Sequence, residues 1–246
     1  MKLGNISLPV YHDVVEARSR LADHLHVTPV LTSRSLDEIT GATLHFKCES
    51  FQKTGSFKPR GALNNLLVRG KAALEKGVAT HSSGNYGQAV AWAAARLGVV
   101  AHIVAPADGI PVKLDAIRSY GATLHPCGSG QMDRERSLRR VVEATGALAV
   151  HPFDEYDVIA GQGTAALELF DAAGPLDALV VPLGGGGLLS GSLLAASGQV
   201  KIPLVYGVEP ALADDGLRSL RAGHIIASTF PPTVADGLRT SLGELT

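Results

Sequence analysis

Lys58 ends the polar, glycine-bearing stretch Gln52-Lys53-Thr54-Gly55-Ser56-Phe57-Lys58 and stands at the mouth of a helix that continues through Pro59-Arg60-Gly61-Ala62. A lysine held rigidly in a partly desolvated turn loses some of its protonation, and its amine can then bond to a carbonyl as a Schiff base. Taken alone, Lys58 reads as a solvated surface lysine, as Lys53 does. Two anion-binding turns further along the chain change that reading.

The first is Ser82-Ser83-Gly84-Asn85-Tyr86-Gly87-Gln88-Ala89, between the strand-like run Gly77-Val78-Ala79-Thr80-His81 and the alanine-rich stretch Val90 to Leu97. Amides at a strand-to-helix turn, with the positive end of a helix behind them, suit a carboxylate or a phosphate. Serine and asparagine also sit there as plain helix caps. The second turn is stronger: Val180-Val181-Pro182-Leu183 has the pattern of a buried strand, runs into Gly184-Gly185-Gly186-Gly187, and is followed by a helix-like Leu188-Leu189-Ser190-Gly191-Ser192-Leu193-Leu194. Four glycines let the backbone approach a phosphate with no side chain in the way. The spacing is not that of a dinucleotide site, and no P-loop lysine follows. The apolar frame on both sides argues against a flexible linker.

Ser56-Phe57-Lys58 with Arg60-Gly61-Ala62, Ser82-Ser83-Gly84-Asn85 and the tetraglycine run together closely resemble fold type II pyridoxal-phosphate (PLP) enzymes, the serine/threonine dehydratase (ammonia-lyase) and serine racemase group being nearest. Thr28-Pro29-Val30-Leu31-Thr32-Ser33, His151-Pro152-Phe153-Asp154, Ile159-Ala160-Gly161-Gln162-Gly163-Thr164 and Val234-Ala235-Asp236-Gly237 extend the resemblance over nearly the whole chain. It implies a tryptophan synthase β-like α/β fold, with two parallel-sheet domains and PLP in the cleft between them. It also implies that Lys58 carries PLP and then removes the substrate's α-proton. Gly184, Gly185, Gly186 and Gly187 would hold the phosphate. Phe57 would pack near the ring and Asn85 reach its phenolic oxygen. Ser82, Ser83, Gly84 and Asn85 would grip the substrate carboxylate, with Ser83 able to exchange a proton on the opposite face.

For serine or threonine the implied outcome is loss of the α-proton and β-hydroxyl, giving a 2-oxo acid and ammonia. Reprotonation by Ser83 would give racemisation instead; elimination is preferred because it needs fewer correctly placed groups. A magnesium or calcium site is implied at Glu209, the carbonyl of Ala213, and Asp215, whose oxygens suit hard cations. Asp214 and Asp215 equally fit an ordinary helix N-terminus. Such relatives are commonly homodimers.

Two departures stand out. Tyr86 replaces the histidine that many relatives carry after the asparagine, so it either reshapes the substrate pocket or simply packs in its helix. The sequence ends at Leu242-Gly243-Glu244-Leu245-Thr246, where relatives run on for roughly seventy residues that contact the pyridine nitrogen and complete the larger domain. A PLP-binding paralogue with weak or no turnover is therefore the alternative of another class, and a partner subunit supplying that part is a third.

The chain has 246 residues, 46% of them hydrophobic, with 22 Lys and Arg against 23 Asp and Glu, enough for one or two compact domains. Near-neutral charge excludes a phosphate-backbone role; the most basic cluster, Arg134 to Arg140, is broken by Glu135 as a solvated helix face would be. Cys48 and Cys127 stand far apart in apolar contexts without metal-ligand spacing, which predicts reduced thiols and a cytoplasmic protein. Before His12 there is only Lys2 and no long apolar region, unlike a signal peptide. Ala178 to Val200 is uncharged, but Pro182 and the glycines would break a membrane helix. His81, His125 and His151, at the ends of apolar runs, are expected to pack or bond locally.

Strand-length apolar runs alternate with helix-like stretches: Val99 to Ala105 then Val112 to Tyr120, Ala122 to Pro126 then Arg134 to Thr145, Ala147 to Val150 then Gly161 to Ala172, and Pro203 to Val208 then Leu212 to Ala222. This order predicts parallel sheets. The resemblance divides the chain into residues 1–76 (larger domain, first part), 77–154 (small domain) and 155–246 (larger domain, second part), with closure over the cleft excluding water.

Overall fold

The computed structural model describes residues 8–228 and 231–246, apart from the side chain of Gln131; Lys2 lies outside the described residues. Strand and helix alternate as expected from Val78 onward. Strands β3 (Val78–His81), β4 (Ala101–Pro106), β5 (Thr123–Cys127) and β6 (Leu148–Ala149) form one parallel sheet in the order β5-β4-β3-β6. Helices α4 (Asn85–Leu97), α5 (Pro111–Ser119) and α6 (Gln131–Thr145) connect them. Its strands place apolar residues on both faces: Val78 and Ile103 pack in one core with Ala89, Ala93 and Ile117, while Ala79 and Val104 meet Val141 and Ala147 in another. Burial on both faces is what covered parallel strands require.

Before and after this sheet come α3 (Lys58–Ala73), α7 (Tyr156–Ala173), β7 (Ala178–Pro182), α8 (Gly187–Ser197), β8 (Leu204–Val208) and α9 (Asp215–Ala222), with β7 and β8 paired in parallel. Helices α7 and α8 cross backbone to backbone. A Cβ on Gly163 would lie 2.5 Å from the Gly191 carbonyl oxygen, so both positions need glycine. Three elements were not read from the sequence: α1 (Tyr11–Leu21), α2 (Arg34–Thr40) and the antiparallel pair of β1 (Val30–Leu31) with β2 (Phe46–Lys47). The signal for α1 was present, since Val14, Ala17 and Leu21 share one buried face at helical spacing.

Two expectations need correction. The run Val180-Val181-Pro182-Leu183 reads as a strand buried on both faces, yet only one face of β7 is covered: Leu179 and Val181 are buried and Val180 is 64% exposed. Beside it on β8, Leu204, Tyr206 and Val208 are exposed as well. The helix expected from Leu212 starts at Asp215, because residues 210–213 turn on an Ala213 N–H to Pro210 carbonyl bond and the first α9 amides are taken by Glu209.

Candidate active site

Lys58 is the first residue of α3, whose following residues Pro59 to Leu66 are all buried. Its amine donates to the Pro152 carbonyl at 3.3 Å and lies 4.9 Å from the Phe57 ring centre and 5.8 Å from that of Tyr86. Among the described residues no carboxylate pairs with it. Burial without a compensating charge lowers its pKa from the ordinary 10.5 to about 8. A substantial share of this amine is therefore neutral near pH 7.5, the state a nucleophilic lysine requires.

Pro152 leads directly to the glycine loop. Its neighbour Phe153 packs so closely on Gly185 that a Cβ there would overlap the ring, and a Cβ on Gly187 would lie 3.0 Å from Phe153. Gly186 has φ +94°, and a Cβ on it would stand 2.5 Å from the Thr246 side chain. The loop is thus a close-approach surface that side chains would fill. The helical bond from Ser190 N–H to the Gly186 carbonyl is the first of α8, so the amides of Gly187, Leu188 and Leu189 point out of the helix end with no acceptor within the helix. Orphan amides and the helix dipole suit this end to an anion.

The segment Gly243 to Thr246 lies on the same loop. The Gly185 carbonyl accepts from Gly243 N–H at 3.3 Å and from the Thr246 hydroxyl at 2.9 Å. Asp154 accepts from the amides of Glu244 and Leu245 at 3.0 and 2.7 Å. The residues after Phe153 therefore anchor this segment, a role the motif alone did not suggest.

The Ser82–Asn85 turn opens α4. Gly84 is its extended N-cap, with its amide bonded to the Ser82 hydroxyl at 3.3 Å, and the helix bonds begin at Gln88 N–H to Gly84. A Cβ on Gly87 would collide with the Ser82 carbonyl, which keeps this turn tight. Ser82, Ser83 and Gly84 are partly exposed and Asn85 is exposed, and the amides of Asn85, Tyr86 and Gly87 precede the first helical bond. Tyr86 packs in the core, yet it also walls Lys58. Its hydroxyl is buried without a partner, and burial, then the Glu155 charge, pushes its pKa well above 10. It stays a neutral phenol.

The histidines behave as expected. His125 bonds to His102 across the sheet, and His151 accepts from the Asp154 amide while its ring meets Phe153 edge-on. Both cysteines are free thiols.

Glu209 and Asp215 come together at the start of α9, next to buried Ala213. Glu209 spends its oxygens on the Gly216 and Leu217 amides at 2.8 and 2.9 Å. Burial raises the pKa of Asp215, with the Glu209 charge adding to it, and the Asp215 carboxyl accepts from Leu242 N–H at 3.2 Å. No cluster of three or more histidine, cysteine or acidic side chains suited to a metal occurs among the described residues.

The fold is that of an α/β enzyme, and its site offers a helix end and a partly buried lysine, groups suited to a phosphate and a carbonyl. The chain belongs to the family described as pyridoxal-phosphate dependent enzyme, which matches residues 21–246, and its fold is that of the fold type II members. It is 46% identical to the serine racemase of Dictyostelium discoideum over 236 residues, 95% of this chain and 73% of that protein. It is 44% identical to the beta-hydroxyaspartate dehydratase of Paracoccus denitrificans, over 97% of this chain and 76% of that protein. Its structure superposes on the T.th. threonine deaminase with a TM-score of 0.90 and 46% identity, over 97% of this chain and 78% of the other. The chain thus spans about three quarters of the length of these relatives. PLP is the cofactor of this family. The Lys58 amine, without a carboxylate partner among the described residues, and the orphan amides that open α8 fit its aldehyde and its phosphate. Among the described residues no helix is long and apolar enough to cross a membrane.

Proposed function

We propose that this protein dehydrates a β-hydroxy amino acid, L-serine or L-threonine, to a 2-oxo acid and ammonia. The observation that carries the proposal is the Lys58 amine, walled by two rings, bonded to a carbonyl and free of any carboxylate partner. Bound PLP supplies an aldehyde for the substrate amine and an electron sink for the α-carbon. Lys58 Nζ takes the α-proton, directed by the Pro152 carbonyl. The free amides at the start of α4, with Ser82, Ser83 and Asn85, hold the substrate carboxylate. Gly184 to Gly187 hold the phosphate, while Phe57 and Phe153 shield the site from water. The Lys58 ammonium returns that proton to the β-hydroxyl, which departs as water, and the released enamine is hydrolysed to the 2-oxo acid and ammonia.

Racemisation of serine is the second reading, supported equally by the relatives; Ser83 would then return the proton from the other face. A 3-hydroxyaspartate substrate is a further reading, supported by the likeness to the beta-hydroxyaspartate dehydratase of Paracoccus denitrificans. In this scheme residues 77–154 form the small domain that closes on the rest, joined to it by the ion pair of Lys113 on α5 with Asp236. A homodimer is the assembly proposed. A divalent cation at Glu209, the Ala213 carbonyl and Asp215 would relieve the raised Asp215 pKa.

The test is a visible spectrum of the purified chain with PLP, followed by L-serine, L-threonine or 3-hydroxyaspartate with a 2-oxo acid readout and chiral analysis of remaining serine. A lysine-bound PLP band with 2-oxo acid release supports the dehydratase. D-serine without 2-oxo acid favours the racemase. A band without any turnover favours the PLP-binding paralogue, and no band refutes the role of Lys58.

A further inference from the structure

Arg60 lies two residues beyond Lys58 and is 1% exposed. Its Nε and Nη2 donate to the two oxygens of Glu49 at 2.7 and 2.8 Å. Nη1 and Nη2 donate to the two oxygens of Glu168 at 2.6 and 2.8 Å, and Nη1 also reaches the Thr164 hydroxyl at 3.1 Å. Lys47 completes the set, donating to Glu168 at 2.6 Å. Two cations and two carboxylates, drawn from β2, the turn at Glu49–Phe51, α3 and α7, thus cancel in charge while sharing one buried cluster.

Beneath this cluster the backbones of α3 and α7 touch: a Cβ on Gly161 would lie 2.7 Å from the Gly61 Cα, and one on Gly61 would meet the Gln162 and Val158 side chains. One neutral bond crosses there, from the Gly61 N–H to Gln162 Oε1 at 3.1 Å. These contacts set the distance between α3 and α7, and a single neutral bond fixes their register less firmly than a charged fork does. Forked, charge-assisted bonds are directional and define it well. A buried ion pair adds little stability over apolar residues of similar volume, which leaves geometry as its main contribution. Asn64 and Asn65 also bond to α7, through the Asp157 carbonyl and the Glu155 cap, at the end of α7 farther from Glu168. Arg60 serves the turn that carries Lys58.

We infer that Arg60 is a positioning residue for Lys58: its forked bonds to Glu49 and Glu168 fix the first turn of α3 on α7 and so hold the Lys58 amine against the Pro152 carbonyl, between the Phe57 and Tyr86 rings. A small rotation or slide of α3 would carry the amine out of that enclosure towards water, and its protonation would return to that of an ordinary lysine.

The inference rests on Lys58 being the reactive amine, and its test reads that amine without cofactor or substrate. The 13Cε resonance of Lys58, assigned by its loss in Lys58→Met, is titrated in the cofactor-free protein and in two variants. Arg60→Lys keeps every charge but lacks the fork. The quadruple variant Lys47→Met, Glu49→Leu, Arg60→Met, Glu168→Met exchanges the whole cluster for apolar side chains and leaves no charge unpaired. The wild-type midpoint is expected at about 8. In either folded variant it should rise by about one unit or more, and PLP capture at pH 7.5 should slow about tenfold with the smaller neutral fraction. A folded variant that melts earlier but keeps the wild-type midpoint would make Arg60 merely structural and overturn the inference. Should the quadruple variant not fold, Arg60→Lys decides. Failure of the functional proposal shows separately, as a wild-type protein without a PLP band.

Discussion

Replacing Lys58 by methionine should stabilise the cofactor-free protein near neutral pH, and the gain should disappear in alkali. The folded state holds the amine at a pKa of about 8 against 10.5 when unfolded. At about 1.36 kcal/mol per unit this is a cost of about 3 kcal/mol, trimmed to about 2 because Lys58 is only partly buried as a residue. Losing the bond to Pro152 takes back about 1 kcal/mol, so Lys58→Met should gain about 1 kcal/mol at pH 7. The sign follows from proton counting. Below pH 8 both states are protonated and the folded state bears the whole cost. Between 8 and 10.5 the unfolded chain binds the extra proton, so wild-type stability rises with pH. Above 10.5 neither state is charged and the cost has gone. Urea unfolding of both proteins at pH 7 and pH 10, followed by the fluorescence of Trp92, the single tryptophan, measures the difference. No gain at pH 7, or the same gain at both pH values, would refute the reasoning that the amine is held in a desolvated enclosure.

Three further outcomes are expected. Gly185→Ala sets a methyl group against the Phe153 ring; it should lower stability by about 1–3 kcal/mol and weaken PLP binding at least about tenfold, as read by urea unfolding and by titration of the PLP band. Tyr86→Phe removes a buried hydroxyl that has no partner, and should raise stability by about 1 kcal/mol while leaving the PLP band in place; a loss of stability would mean the hydroxyl is bonded in solution. Burial lowers the pKa of both His81 and His151, so the stability they allow is present above pH 6.5 and is lost as pH falls below it; the urea midpoint should drop between pH 7 and pH 5, and less steeply in His81→Gln.

The two strand-to-helix turns at Ser82–Asn85 and Gly184–Gly187 were legible as turns because each is local. Strand, glycine and helix start follow one another within a dozen residues, and the φ of +94° at Gly186 and the tight approach at Gly87 are glycine requirements that the sequence displays openly. Alternation of strands and helices likewise announced the parallel sheet. What could not be read were contacts between distant segments. The Lys58 amine bonds to a carbonyl 94 residues away, and Arg60 meets a carboxylate 108 residues away. No spacing rule connects such pairs. Tyr86 offered two readings because one residue type suits both; the structure shows packing and contact with Lys58 together. The start of α9 was missed since Glu209, six residues upstream, caps it rather than the adjacent aspartates.

The open face of β7 and β8 has a practical consequence. Val180 stands in register with Tyr206, Pro182 with Val208 and Ala178 with Leu204, so the exposed side chains form a continuous oily strip, and among the described residues neither strand has a neighbour on its outer edge. Such a strip with open edges is sticky. In dilute buffer the chain should light up a hydrophobic dye while still folded, and as it is concentrated it should cling to column resin, chaperones and its own copies. Recovery of the protein, more than any step of its chemistry, would then depend on salt, temperature and a mild detergent.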